Sequence, residues 1–233
     1  MRTSSMGIGA PGAPQLRGNG KASATRKPRA LLATVLVGIL GLLLIPVGSA
    51  NADERPPCTR IIGFSQTKQW AQLFLPKVPD ARWEAQIRPG EGVEQWAVGG
   101  VGWTTPVFSP CGTVTRVLLQ VATTEQRTDA EATQLLSDAL GGVRTNVPGA
   151  SIMLVPVVGG PGGAVCTVDG SSVYASAIYP QMVRLIAAAA LGDVSAPAQD
   201  LTLGDCAQYQ DLRGHLQATG ASAVARLLVR RVG

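Results

Sequence analysis

Histidine is nearly absent from this 233-residue chain, which has only one, His215. Any chemistry that needs an imidazole near neutral pH must use that residue. Cysteine is scarce too: Cys58, Cys111, Cys166 and Cys206 are the only four, with no C-x-x-C pair. One histidine and dispersed cysteines do not make the usual tetrahedral zinc set, so no metal is expected. The run Gly159-Gly160-Pro161-Gly162-Gly163 lacks the G-K-[ST] ending of a phosphate loop, and no cofactor is expected. No internal repeat recurs along the chain, which excludes a stacked-repeat architecture. Acidic residues are missing from the first 52 positions.

That last absence marks a leader. Residues 1–29 are rich in Gly, Ser, Pro, Arg and Lys, and Ala30 to Val47 is an apolar run of 18 residues. Ser49-Ala50-Asn51-Ala52 then offers an A-x-A site before Asp53. Together these predict a secretory signal peptide with a basic N-terminal extension over residues 1–52, and a single domain over 53–233. An uncleaved membrane anchor is the alternative, because about 18 apolar residues lie near the lower limit for spanning. Pro46 and the A-x-A site favour cleavage. Membrane contact is expected only through an uncleaved leader. No Arg-Arg pair precedes the apolar run, which argues against a twin-arginine signal.

The leader also carries the positive charge. The whole chain is +5, but six of its 20 basic residues lie in the leader. The remainder has 14 basic and 15 acidic residues, a net charge of −1. No nucleic-acid partner is expected from such a surface. The 181 residues after Ala52 suffice for one domain with a sizeable core. Four cysteines in an exported chain predict two disulfides, with three pairings open.

Within residues 53–233, strand-like and helix-like segments alternate. Strands are expected at Thr59–Gly63, Arg82–Arg88, Val114–Val121, Ser151–Val158 and Val194–Ala196. Helices are expected at Lys68–Leu75, from the capping box Thr128-Asp129-Ala130-Glu131 to Gly141-Gly142, at Ile178–Leu191, and at about Thr219–Arg231. Pro89–Gly112, rich in Gly, Trp and Pro, reads as a long loop. This alternation predicts a mainly parallel sheet covered on both faces, with its site at the carboxyl ends of the strands.

Ser65 follows the first expected strand directly, and His215 lies in the loop before the last helix, four residues after Asp211. A serine hydroxyl becomes a useful nucleophile when a base accepts its proton and a third group orients that base. Ser65, His215 and Asp211 are the candidates for these roles. Taken singly, each has a structural reading: helix cap, loop histidine, turn aspartate.

Gly63-Phe64-Ser65-Gln66-Thr67 resembles the G-D-S-x-T opening of the SGNH/GDSL hydrolases. Arg88-Pro89-Gly90-Glu91-Gly92-Val93 resembles that family's second block, whose glycine amide serves the oxyanion hole, with Gly90 the better match and Gly92 the next. Asp211 to His215 resembles its last block, which supplies acid and base together. The resemblance spans nearly all of residues 53–233. It implies a flavodoxin-like three-layer α/β sandwich with a mainly parallel five-stranded sheet. It implies metal-free ester hydrolysis, with carbohydrate acetyl esters or lipid acyl groups as substrates. In such a fold the expected disulfides are Cys58–Cys111 and Cys166–Cys206, the second bracing the loop that carries His215.

The chain departs from the pattern at three points. Phe64 replaces the aspartate of G-D-S. Asp211 and His215 are four apart where the family has three. No asparagine follows the third strand, where Thr123, Thr124 and Gln126 are the substitutes on offer. Gly63-Phe64-Ser65-Gln66 is also similar to the G-Y-S-Q-G elbow of cutinases, but that elbow follows several strands rather than the first. All four tryptophans fall within residues 70–103, and Trp96 and Trp103 are candidates to stack on a sugar or line an acyl groove. A non-enzymatic relative that keeps the fold and binds glycan, lipid or protein through that loop is the alternative function.

Overall fold

In the computed structural model, residues 57–233 are described. The expected leader, its apolar run and the A-x-A site lie outside the described residues. The order of elements is β1 (Cys58–Gly63), α1 (Ser65–Phe74), β2 (Trp83–Ile87), β3 (Val114–Val121), α2 (Asp129–Asn146), β4 (Ser151–Pro156), β5 (Thr167–Val168), β6 (Ser171–Ser172), α3 (Tyr174–Ala189), β7 (Val194–Ser195) and α4 (Ala218–Val232). Five strands form one parallel sheet in the order β2-β1-β3-β4-β7, while β5 and β6 pair as a separate antiparallel hairpin. This is the expected three-layer α/β sandwich with flavodoxin-like strand order.

The central strands form because they are apolar on both sides. Ile61 and Ile62 of β1, Val117 to Leu119 of β3, and Ile152 and Leu154 of β4 have no exposed surface. Near-continuous apolar runs of this kind belong to parallel sheets covered on both faces. Helices α1 and α4 pack together, and α2 packs on α3. From β1 the sheet grows one way to β2 and the other way through β3 to β4 and β7, and connections of the usual right-handed sense put helices on both faces. The direction of winding reverses between β1 and β3, the place where such sheets open a crevice at their carboxyl edge.

Several boundaries differ from those expected. Helix α1 opens at Ser65, not Lys68, because Thr67 folds back at once: its Oγ1 accepts from the Phe64 amide at 3.0 Å. A side chain at Gly63 would collide with Thr67, 2.0 Å from its Oγ1, so the turn needs glycine there. Helix α2 begins at the expected capping box, with Thr128 N donating to Glu131 Oε2 at 2.9 Å. It does not stop at Gly141-Gly142 but runs to Asn146. Gly142 is a contact point rather than a terminator, since a Cβ there would lie 1.9 Å from the Trp96 carbonyl. Helix α3 opens at Tyr174, four residues before the expected start, and carries Pro180 inside it. Strand β4 ends at Pro156, and the Val158 amide turns to donate to Gln66 Oε1 at 2.8 Å. The loop after β2 contains two short 3-10 turns, Val93–Trp96 and Val101–Thr104.

Both disulfides pair as expected, Cys58 with Cys111 and Cys166 with Cys206. Such bonds belong to an oxidising environment. Among the described residues no cysteine is free, and no helix is long and apolar enough to cross a membrane.

Candidate active site

Ser65 is the first residue of α1, directly past the carboxyl end of β1. His215 arrives from a tight loop 150 positions later. In that loop Tyr209 pairs with Leu216, and the Gln210 amide donates to the His215 carbonyl at 2.6 Å. Asp211 organises the turn. Its Oδ1 accepts from the amides of Arg213 at 3.0 Å, Gly214 at 3.1 Å and His215 at 3.1 Å. Gly214 adopts φ +95°, and a Cβ there would meet that of Ala175 at 2.2 Å, so both conformation and space require glycine.

The second oxygen of Asp211, Oδ2, lies 2.6 Å from His215 Nδ1, and His215 Nε2 lies 2.9 Å from Ser65 Oγ. Partial burial raises the Asp211 pKa, but hydrogen bonds from the His215 ring and from the His215 and Gly214 amides outweigh it, so the carboxyl sits below its ordinary value. A charged Asp211 accepts the Nδ1 proton, which leaves Nε2 as the acceptor for the serine hydroxyl. The aspartate-to-histidine step of four residues therefore still closes the chain of three groups, because the intervening loop folds around Asp211 itself.

The loop is also gripped from beneath. Gln66 Nε2 donates to the Gly214 carbonyl at 2.8 Å, while its Oε1 accepts from Gln120 Nε2 at 2.9 Å and from the Val158 amide at 2.8 Å. One turn later Gln69 makes a two-way pair with Leu216: Nε2 donates to the Leu216 carbonyl at 3.1 Å and Oε1 accepts its amide at 2.8 Å. Gln120 of β3 completes the buried network, accepting from Thr67 Oγ1 at 2.6 Å and from Trp70 Nε1 at 3.0 Å. Gln66, Thr67 and Gln120 are all at most 3% exposed. Buried polar groups persist when fully paired, and here the pairing ties α1, β3, β4 and the histidine loop together. Tyr209 adds an anchor, its hydroxyl donating to the Val158 carbonyl at 2.6 Å. The Cys166–Cys206 bond joins the segment before α3 to the start of this loop.

Ser65 and His215 open into a cavity of about 630 Å³. Phe64, Gly90, Gly92, Thr123, Thr124, Tyr174, Ile178 and Arg213 are among its lining residues. Gly90 adopts φ +101° in the turn after β2 and lies on the cavity wall. Gly92 sits against the end of β3, where a Cβ would come 2.6 Å from the Ala122 carbonyl. The neighbouring Val93 amide donates to that same carbonyl at 2.7 Å. The loops after β1, β2 and β3 thus converge on one edge with the histidine loop.

The candidates Trp96 and Trp103 are not brought to the cavity. Trp96 is fully buried, and Trp103 packs edge-on against it with ring centroids 5.2 Å apart. The Trp103 indole donates to the carbonyls of Trp96 and Ala97. Neither ring lines the cavity, so the stacking platform expected from the sequence is instead part of the core beneath α2. The glycan-, lipid- or protein-binding surface expected from that loop is therefore not supplied by these two rings at the cavity. Gln126 is exposed and also absent from the wall, whereas Thr123 and Thr124 are present. Sequence reasoning did not find Tyr174, Ile178, Arg213 or the Gln66 clamp. The first lies at the start of α3, and only an earlier helix start would have singled it out.

No protein-family model and no curated protein matches the chain. Solved structures do match in shape. A protein assigned as a platelet activating factor from Streptococcus pneumonia superposes with a TM-score of 0.51 at 15% identity, over 77% of this chain and 85% of that one. A carbohydrate esterase family 2 enzyme with a carbohydrate binding domain from Corynascus thermopiles gives 0.46 at 15% identity, over 79% and 67%. An acetyl xylan esterase from Butyrivibrio proteoclasticus gives 0.45 at 10% identity, over 75% and 63%. At such identities the likeness is one of fold. The five-stranded parallel sheet in the order β2-β1-β3-β4-β7 is itself the fold that the SGNH/GDSL resemblance implies.

Proposed function

We propose that this protein is an exported SGNH-like serine hydrolase that cleaves an ester, with a carbohydrate acetyl or lipid acyl group as substrate. The observation that carries the reading is the continuous hydrogen-bonded line from Asp211 through His215 to Ser65, 2.6 and 2.9 Å per step, opening into a cavity at the carboxyl edge of the sheet. His215 Nε2 takes the Ser65 proton as Oγ attacks the ester carbonyl carbon, and the carbonyl π pair moves onto oxygen. The amides of Ser65, at the start of α1, and of Gly90 face the developing charge. Collapse expels the alcohol, which takes the proton from His215 and leaves an acyl-Ser65. Water, deprotonated by His215, then releases the acid and restores Ser65. Two disulfides and the predicted leader support export of residues 53–233 as one domain.

A fluorophosphonate probe tests the reading. Wild type is expected to be labelled at Ser65 and to hydrolyse p-nitrophenyl acetate, and both signals are expected to vanish in His215→Ala. No labelling together with no hydrolysis of any short acyl ester would remove the proposal.

A further inference from the structure

The third oxyanion donor is the part of the pattern that this chain lacks in its familiar form. Of the three polar residues after β3, Gln126 is off the cavity wall. Thr124 is on it, but its Oγ1 donates to Glu94 Oε1 at 2.6 Å, a charge-assisted bond that occupies its only proton. Thr123 remains. It is 3% exposed yet lines the cavity, and its hydroxyl lies 3.2 Å from the Tyr174 hydroxyl. Tyr174 also donates to the Thr123 backbone carbonyl at 3.1 Å. With the tyrosine proton on that carbonyl, the contact between the two hydroxyls leaves the Thr123 proton free to turn.

This pair and the nucleophile line the same cavity. Ile62 of β1 sits opposite Leu119 of β3, and the chain leaves these two adjacent strands towards Ser65 and Thr123 respectively. Adjacent strands are about 4.8 Å apart. Gly92, from the block that supplies Gly90, packs against Thr123 so closely that a Cβ would come 3.0 Å from its carbonyl carbon. Thr123 therefore shares one cavity wall with Ser65 and Gly90, whose amides are the two donors assigned above.

We propose that the Thr123 hydroxyl is the third oxyanion donor, in place of an asparagine amide, and that Tyr174 is its positioning residue. The inference rests on the esterase reading. As Ser65 adds to the carbonyl and the electron pair moves to oxygen, Thr123 rotates its O–H from Tyr174 to that oxygen. A neutral 3.2 Å contact is exchanged for a bond to a full charge, which favours the transition state over the ground state. No proton is transferred at this position. Burial, with help from the Glu94 and Glu125 carboxylates, holds the Tyr174 phenol above the usual tyrosine value despite its bond to Thr123, so it stays protonated and keeps its grip on the Thr123 carbonyl.

The test is steady-state hydrolysis of p-nitrophenyl acetate by the full chain. Thr123→Val is expected to lower kcat by about a hundredfold or more with little change in KM, the usual loss for one oxyanion donor. Thr123→Ser, which restores the hydroxyl, is expected to recover most of that loss. Tyr174→Phe leaves Thr123 in place but unguided, and a kcat loss of about tenfold is expected. A phosphonate adduct at Ser65 should show its anionic oxygen within about 3 Å of Thr123 Oγ1. Active wild type with Thr123→Val at undiminished kcat overturns the inference alone, as does an adduct whose oxygen points away from Thr123. A wild type that hydrolyses nothing overturns the esterase reading and this one with it. If Thr123→Val fails to fold, the Thr123→Ser rates and the adduct geometry decide.

Discussion

Gln66 holds the histidine loop from below, and replacing it with leucine removes the grip while roughly keeping the volume. The side chain makes three buried bonds: to the Gly214 carbonyl, from the Val158 amide and from Gln120 Nε2. Gln120 keeps its 3.2 Å bond to the Pro156 carbonyl, so it loses least. The Gly214 carbonyl and the Val158 amide lose these buried partners. Each orphaned group costs about 1–3 kcal/mol, so Gln66→Leu should destabilise the domain by about 2–6 kcal/mol. That is a large share of the 5–15 kcal/mol typical of a domain. Equilibrium denaturation in urea with both disulfides oxidised measures it, as a shift in midpoint at nearly constant slope. At about 2–4 °C per kcal/mol, the melting temperature should fall by roughly 4–24 °C. The loosened loop should also slow fluorophosphonate labelling of Ser65 more than tenfold under conditions where the variant is still folded. A change below about 1 kcal/mol with normal labelling would refute the claim that this network bears on stability and on His215.

Asp211→Asn should cost about 10⁴ in kcat, because the amide can present an N–H to Nδ1 and favour the wrong tautomer. The same residue gives a pH signature. Its folded value is depressed, so its contribution to stability is complete above the unfolded carboxyl value of about 3.9 and is lost as pH falls towards the lower folded value. The wild-type advantage over Asp211→Asn in urea titrations should therefore be flat above about pH 5 and shrink below pH 4. Replacing Cys166 and Cys206 together by alanine opens a link between residues 40 apart, which chain entropy values at about 4 kcal/mol. A midpoint shift of that order in denaturant, with slower Ser65 labelling, is the expected outcome.

Strand β3 was legible to the residue because Val117 to Val121 is a mainly aliphatic run buried on both faces, with no helical spacing to compete. The start of α2 was legible because Thr128 and Glu131 satisfy each other across three positions. The start of α1 was not, since Ser65 begins the helix only because Thr67 returns to the Phe64 amide over a bare Gly63. Gly141-Gly142 read as a stop signal and proved to be a close approach to the backbone of Trp96. Trp96 and Trp103 looked like a binding platform for the same reason: composition does not say which face of a loop meets solvent.

The sequence by itself determined the alternation of strands and helices, the two disulfides, and the three residue types able to run acyl transfer. Those signals are local, set by side-chain period, capping and cysteine parity. Only the tertiary structure decided that a loop 150 residues away lays His215 Nε2 2.9 Å from Ser65 Oγ. It also decided that Gln66 and Gln120 lock that loop in place, and that Thr123 and Tyr174 share the cavity wall. Those contacts follow from strand order and helix packing across distant segments, and no periodicity along the chain records them.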